Sequence, residues 1–68
     1  MYMLWYDATN NTLRHKLEIA CEYFERKYRL KPTNAFIHRA QVEEIQDFPL
    51  QIHPDGYMLK DCMLIGVD

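Results

Sequence analysis

Apolar side chains recur along this chain with two periods, one helical and one extended, and the switches between them divide it into elements. The longest regular stretch runs from Asn11 to Lys31. At 100° per residue, Leu13, Leu17, Ala20, Cys21, Phe24 and Tyr28 fall at i, i+4, i+7, i+8, i+11 and i+15. That spacing makes a stripe about 100° wide, which has to be buried. Opposite it lie Arg14, Glu18, Glu22, Glu25, Arg26 and Arg29. Within this solvated face, Glu22 to Arg26 and Glu25 to Arg29 are acid-first i,i+4 pairs, each adding roughly 0.2–0.5 kcal/mol. The basic residues Arg26, Lys27, Arg29 and Lys31 suit the negative end of the helix dipole, and Pro32 disfavours helical angles at Lys31. Asn10, Asn11 or Thr12 can each cap the start. The pattern therefore predicts one amphipathic helix over Thr12 to Arg29. Ile19 and Tyr23 lie beside its main stripe and widen the apolar surface beyond what one sheet requires.

Extended periodicity brackets this helix. Tyr2-Met3-Leu4-Trp5-Tyr6 carries large side chains on both faces and reads as a strand that is either central or covered by a partner. Thr33 to His38 reads as a second strand, with Ala35 and Ile37 on one face and Phe36 and His38 on the other. A right-handed parallel crossover through the helix follows if these two strands share a sheet. In Arg39 to Asp47, Val42 and Ile45 are three apart among exposed acids, which fits a short helix or a loop stopped by Pro49. Leu50 to His53 then reads as a strand with Leu50 and Ile52 inward. Pro54-Asp55-Gly56 offers turn chemistry for a hairpin returning through Tyr57-Met58-Leu59, and Lys60-Asp61 can turn again. Cys62 to Val67, apolar on both faces, reads as an inner strand. The expected fold is α+β: one long helix packed on a mixed four- to five-stranded sheet, in the order β-α-β-(short α or loop)-β-β-β.

Sixty-eight residues allow a single domain spanning 1–68, and a chain of this size buries only roughly 60% of its unfolded surface. With 49% apolar and 26% charged residues it belongs among globular chains. Met1 to Tyr6 lacks the basic leader and cleavage site of a signal peptide, and no apolar run approaches the ~18 residues that span a membrane. A cytoplasmic location with no membrane contact is expected. The net charge of −2 conceals an asymmetry: residues 1–39 hold seven bases and four acids, residues 40–68 one base and six acids. Sequence does not decide whether these +3 and −5 halves face apart or neutralise one another.

Candidate chemistry is sparse. His15, His38 and His53 stand at no metal-type spacing from one another or from Cys21 and Cys62. No metal or cofactor is implied. The cysteines read as two buried thiols, with a helix-to-sheet disulfide as the alternative. Cys62, His53 and Asp55 or Asp61 can be written as nucleophile, base and orienting acid, but nearness in sequence does not create that geometry. Arg26, Lys27, Arg29, Lys31 and Arg39, with Tyr23 and Tyr28 nearby, offer phosphate contacts and stacking for a weak nucleic-acid binder. Interleaved glutamates and the net negative charge count against it.

Partner binding draws more support. Trp5, five tyrosines, three phenylalanines and four methionines are an interface-like set for so short a chain. Trp5, Ile19 and Tyr23 are the expected contact residues. A sheet covered by one helix leaves its second face exposed unless Arg39 to Phe48 folds over it, and self-association is the common alternative. The sequence reads best as a small non-enzymatic interaction or accessory protein, homodimeric or bound to another protein.

Overall fold

The computed structural model describes every residue from Met1 to Asp68. Along the chain lie β1 (Tyr2–Tyr6), α1 (Leu13–Tyr28), β2 (Asn34–His38), a 3₁₀ segment (Arg39–Glu44), β3 (Gln51–Asp55) and β4 (Cys62–Gly66). The strands make one sheet in the order β1-β4-β2-β3, with β4 antiparallel to both β1 and β2 and β3 parallel to β2. This is the expected α+β arrangement, at the lower of the two expected strand counts, and its helix, at 16 residues, is not long.

The helix coincides with the apolar stripe, Leu13 to Tyr28, and stops one residue inside the expected Thr12 to Arg29 span at each end. Thr12 caps it, its Oγ1 accepting from the His15 N–H at 3.2 Å. Arg29 has already left it, with φ 58°, and its N–H donates to the Glu25 carbonyl at 2.9 Å. That left-handed cap explains why the Glu25 to Arg29 ion pair does not form, whereas Glu22 and Arg26 meet at 3.7 Å on the exposed side. Leu13, Leu17, Ala20 and Phe24 face the sheet and form one buried cluster with Met3, Ala35, Ile37, Met63, Ile65 and Ile45. Strand register explains the layering. Met3, Ile65, Ala35 and Ile52 sit side by side in one row, and Trp5, Met63, Ile37 and Pro54 in the next. Phe24, Leu17, Ile37, Met63 and Ile65 are fully buried, each worth roughly 1.5–3 kcal/mol relative to exposure.

Between β2 and β4 one alternative drops out and one expectation is corrected. The dozen residues between His38 and Gln51 make a parallel connection, which needs about that length. Its 3₁₀ segment is capped by His38, whose Nδ1 accepts from the Ala40 N–H at 2.9 Å. The segment after it delivers Ile45 into the core, with Val42 and Phe48 packed around it on the helix side. Arg14 holds it there through Nη1 to the Gln46 carbonyl at 2.9 Å and lies over the Phe48 ring. Arg39 to Phe48 therefore adds to the covered layer and leaves the opposite face open.

The correction concerns the hairpin. Pro54 and Asp55 belong to β3 itself, and Tyr57-Met58-Leu59 is not a strand; Tyr57 is 99% exposed. Gln51 N–H donates to the Thr33 carbonyl, so alternate residues of β3 face β2 and Pro54 turns its missing N–H to solvent. Proline is thus tolerated in an edge strand where a turn seemed called for. The Asp55 carboxylate accepts from the Tyr57 N–H at 2.8 Å, and the chain passes the His38 end of β2 to enter β4 between β1 and β2.

Candidate protein-interaction surface

The sheet face away from α1 is assembled by the same alternation that builds the core. Leu4, Leu64, Phe36 and His53 occupy one row across all four strands, flanked by Tyr2 and Tyr6 on β1. Leu4 and Tyr6 are 64% and 66% exposed. Toward the other edge the face is tied together: His53 stacks on Phe36 with centroids 4.5 Å apart, and its Nε2 lies 2.9 Å from the Asn34 Oδ1. Tyr2 meets Phe36 edge-on at 5.8 Å by reaching across Gly66. A Cβ at Gly66 would run into the Met1 carbonyl oxygen and Tyr2 Cα, so the glycine is what permits this close approach. The uncovered apolar surface is consequently concentrated at the β1 end.

The other side of β1 carries the residues expected from sequence to bind a partner. Tyr23 leans over Trp5, ring centroids 5.0 Å apart, and remains 42% exposed. Ile19, one turn earlier on α1, is half-buried. Trp5 and Tyr23 thus come together beside β1, with part of their surface already used against one another, and Ile19 lies one turn away on the helix. The Trp5 Nε1 is buried and meets no acceptor. Apolar and aromatic groups therefore border β1 above and below the sheet. Sequence had singled out the helix side and described the other only as a face to be covered. The signal for Leu4 and Tyr6 was the period-2 alternation of Tyr2, Leu4 and Tyr6.

The basic end of α1 lies elsewhere. Arg26, Arg29 and Lys31 border a groove of about 840 Å³ whose floor includes Cys21, Phe48 and Leu50 and whose rim also bears Glu18, Glu22 and Glu25. Arg26 faces Glu22, and the Lys27 ammonium lies 5.3 Å from the centre of the Tyr28 ring. Arg39 leaves this end of the helix altogether and passes beside Gly56. The positive charge is accordingly mixed with acids at the groove.

The thiol constellation is not assembled. Cys62 belongs to β4 and His53 to β3, with β2 between them, a lateral separation of about 10 Å at the usual strand spacing. His53 is engaged by Asn34, Asp55 by the Tyr57 N–H, and Asp61 by Lys16 and Gln41. Both cysteines are free and half-buried. They lie on opposite sides of the sheet, which excludes the bridge. Burial, then the nearby Glu25 and Glu18 charges, pushes the Cys21 thiol up to about 11. No group of three or more His, Cys, Asp and Glu side chains is placed to hold a metal ion, and no helix is long and apolar enough to cross a membrane.

One polar cluster had no clear signal in the sequence. Lys16, 5% exposed, reaches Asp61 Oδ1 at 2.9 Å, and Gln41 donates to the same oxygen at 3.2 Å while accepting from the Asp61 N–H at 3.1 Å. These contacts hold the Asp61 carboxyl below the usual carboxylate range, Lys16 first and Gln41 second. They clamp α1, the 3₁₀ segment and the entry to β4. The fold and its surfaces define a small two-layer α+β domain with one open sheet face. Among known proteins, no family model, no curated protein and no solved structure matches the chain.

Proposed function

We propose that this chain is a small non-enzymatic protein-interaction module that associates with itself along the β1 side of its sheet. The observation that carries this reading is the exposure of Leu4 and Tyr6 on an edge strand whose other side presents Trp5 beneath Tyr23. An edge strand with apolar groups above and below it exposes surface that a second protein molecule can remove from water. Trp5, Ile19 and Tyr23 contribute the helix side of the contact, Leu4 and Tyr6 the other. A weak nucleic-acid site at Arg26, Lys27, Arg29 and Lys31 has less support, because acids share that surface.

Light scattering on a sizing column, from about 1 μM to about 1 mM protein, tests the reading over the range of ordinary self-association. A mass that rises from monomer to dimer is expected, and Ile19→Ser/Tyr23→Ser should move that rise to higher concentration. A monomer throughout would overturn it. A mobility shift of a nucleic acid at low salt, with no self-association, would favour the basic end instead.

A further inference from the structure

Resting on the reading that the chain self-associates, we propose that β1 itself is the joint. Two copies pair their β1 strands antiparallel about a two-fold axis through Leu4, making one continuous eight-stranded sheet. The backbone supplies the first argument. Met1 and Val67 exchange both hydrogen bonds, at 2.8 and 2.9 Å, and Asp7 N–H donates to the Asp61 carbonyl at 3.0 Å. In an antiparallel ladder hydrogen-bonded pairs alternate, so Met1, Met3, Trp5 and Asp7 direct their backbone groups to β4. Tyr2, Leu4 and Tyr6 direct theirs outward. Each of these three has an N–H and a C=O free at the sheet edge, and their side chains are those on the open face.

Self-complementarity supplies the second argument. Read in either direction from Leu4, the strand meets a methionine or tryptophan and then a tyrosine. Pairing about Leu4 sets Leu4 opposite Leu4, Tyr2 opposite Tyr6, and Met3 opposite Trp5. On the open face the exposed Tyr6 of each copy flanks the two leucines, beside the Tyr2 whose ring lies on Phe36 and whose hydroxyl donates to Asp68 at 2.6 Å. On the helix face Met3 and Trp5 of the two copies fall at close, non-hydrogen-bonded positions, so the core around Met3 continues to the Trp5–Tyr23 pair of the second copy. No charged residue lies within Tyr2–Tyr6, and the two Asp7 carboxylates fall at opposite ends of the ladder. Nothing repels across the axis.

The opposite edge of the sheet supplies the third. On β3 only Ile52 presents an outward N–H, since Pro54 occupies the other outward position and lacks one. Addition at β3 is thereby blocked, and a β1 pair closes on itself as a dimer instead of propagating into a fibre. A two-fold axis perpendicular to the sheet also puts both α1 helices on one side, with Ile19 and Tyr23 of each flanking the joint. A standard interface takes roughly 800 Å² from each partner, a large share of the 4666 Å² surface of this chain. The strand alone is too small for that, so the helix-borne residues belong to the same contact.

Disulfide trapping decides the register. In a Cys21→Ala/Cys62→Ala background, Leu4→Cys should oxidise to a covalent dimer at protein concentrations where the parent is dimeric, since directly opposed Cα atoms lie within bridging distance. Gln51→Cys on the β3 edge should remain monomeric on the reducing-agent-free gel. Independently, Leu4→Lys sets like charges at the axis and should weaken the dimer at least about 100-fold while keeping the circular dichroism of the fold. A parent that dimerises, with no preferential Leu4→Cys trapping and a Leu4→Lys dimer of unchanged strength, would overturn the β1 joint and leave self-association standing. A parent that is monomeric at every concentration would overturn both.

Discussion

One sheet presents two apolar faces, and only one of them is sealed. On the helix side, Met63, Ile65, Ala35 and Ile37 are fully buried beneath Leu17, Ala20 and Phe24. On the other side, Leu4 is mostly exposed although Leu64 beside it and Phe36 beyond are half-buried. Toward β3 the open face turns polar, with Asn34, His38, Gln51, His53 and Asp55, but along β1 and β4 both faces are apolar, so composition does not separate them there. What separates them is where the connections run: both crossovers, the helix between β1 and β2 and the 3₁₀ segment between β2 and β3, pack on the same side. A short chain with two crossovers can cover one face well or two faces poorly.

The contrast is broken most severely from the sealed side. Phe24→Ala should destabilise the fold by about 3–5 kcal/mol, comparable with the whole stability expected of a domain this small. A variant still showing a cooperative urea transition near that of the parent would contradict the assigned core. Next in size is the Lys16–Asp61 clamp at the margin of the sealed side. Asp61→Asn leaves a buried ammonium without its counter-charge and should cost about 1–3 kcal/mol at neutral pH. Because the folded carboxyl holds its proton less tightly than the unfolded one, its contribution is complete above the unfolded value, about pH 4. It is lost as pH falls through the lower folded value. Thermal melts from neutral pH into acid should therefore show parent and Asp61→Asn converging at the acidic end; a constant difference would contradict the pairing. Smallest is the effect on the open side. Leu4→Ser should change the stability of the dilute monomer by no more than about 0.5 kcal/mol, yet abolish any rise of Tm with protein concentration. A large loss at low concentration would mean that Leu4 is already covered within one chain.

The helix and three of the four strands were legible because their periodicity is strong and their neighbours are good caps or breakers. Ala35 and Ile37 point inward and Phe36 and His38 outward as alternation requires, and Cys62–Gly66 is the inner strand its two apolar faces suggest. Pro54-Asp55-Gly56 misled because turn chemistry is local, whereas the tolerance of Pro54 depends on which neighbour its backbone faces. Arg29 misled for a similar reason: it suits an ion pair on a helix surface, but the cap took its backbone to positive φ. For the candidate surface, Ile19 and Tyr23 were singled out by their excess over one stripe and Trp5 by the aromatic character of its strand. Leu4 and Tyr6 needed the knowledge that β1 lies at an edge, and Lys16 required its distant partner Asp61 to be in place. Edge positions and long-range pairs are properties of topology, which residue periodicity does not encode.

The position of β4 has a consequence for the order of assembly. It follows all the other strands in the chain, yet it is the only one bonded to β1, and it separates β1 from β2. Until Cys62–Gly66 has been synthesised and inserted, Tyr2–Tyr6 has no hydrogen-bonded neighbour and two free edges in place of one. Such non-local pairing slows folding and lengthens the life of unpaired strands. Of the four strands, the one that keeps an open edge in the finished sheet is therefore made first and secured last.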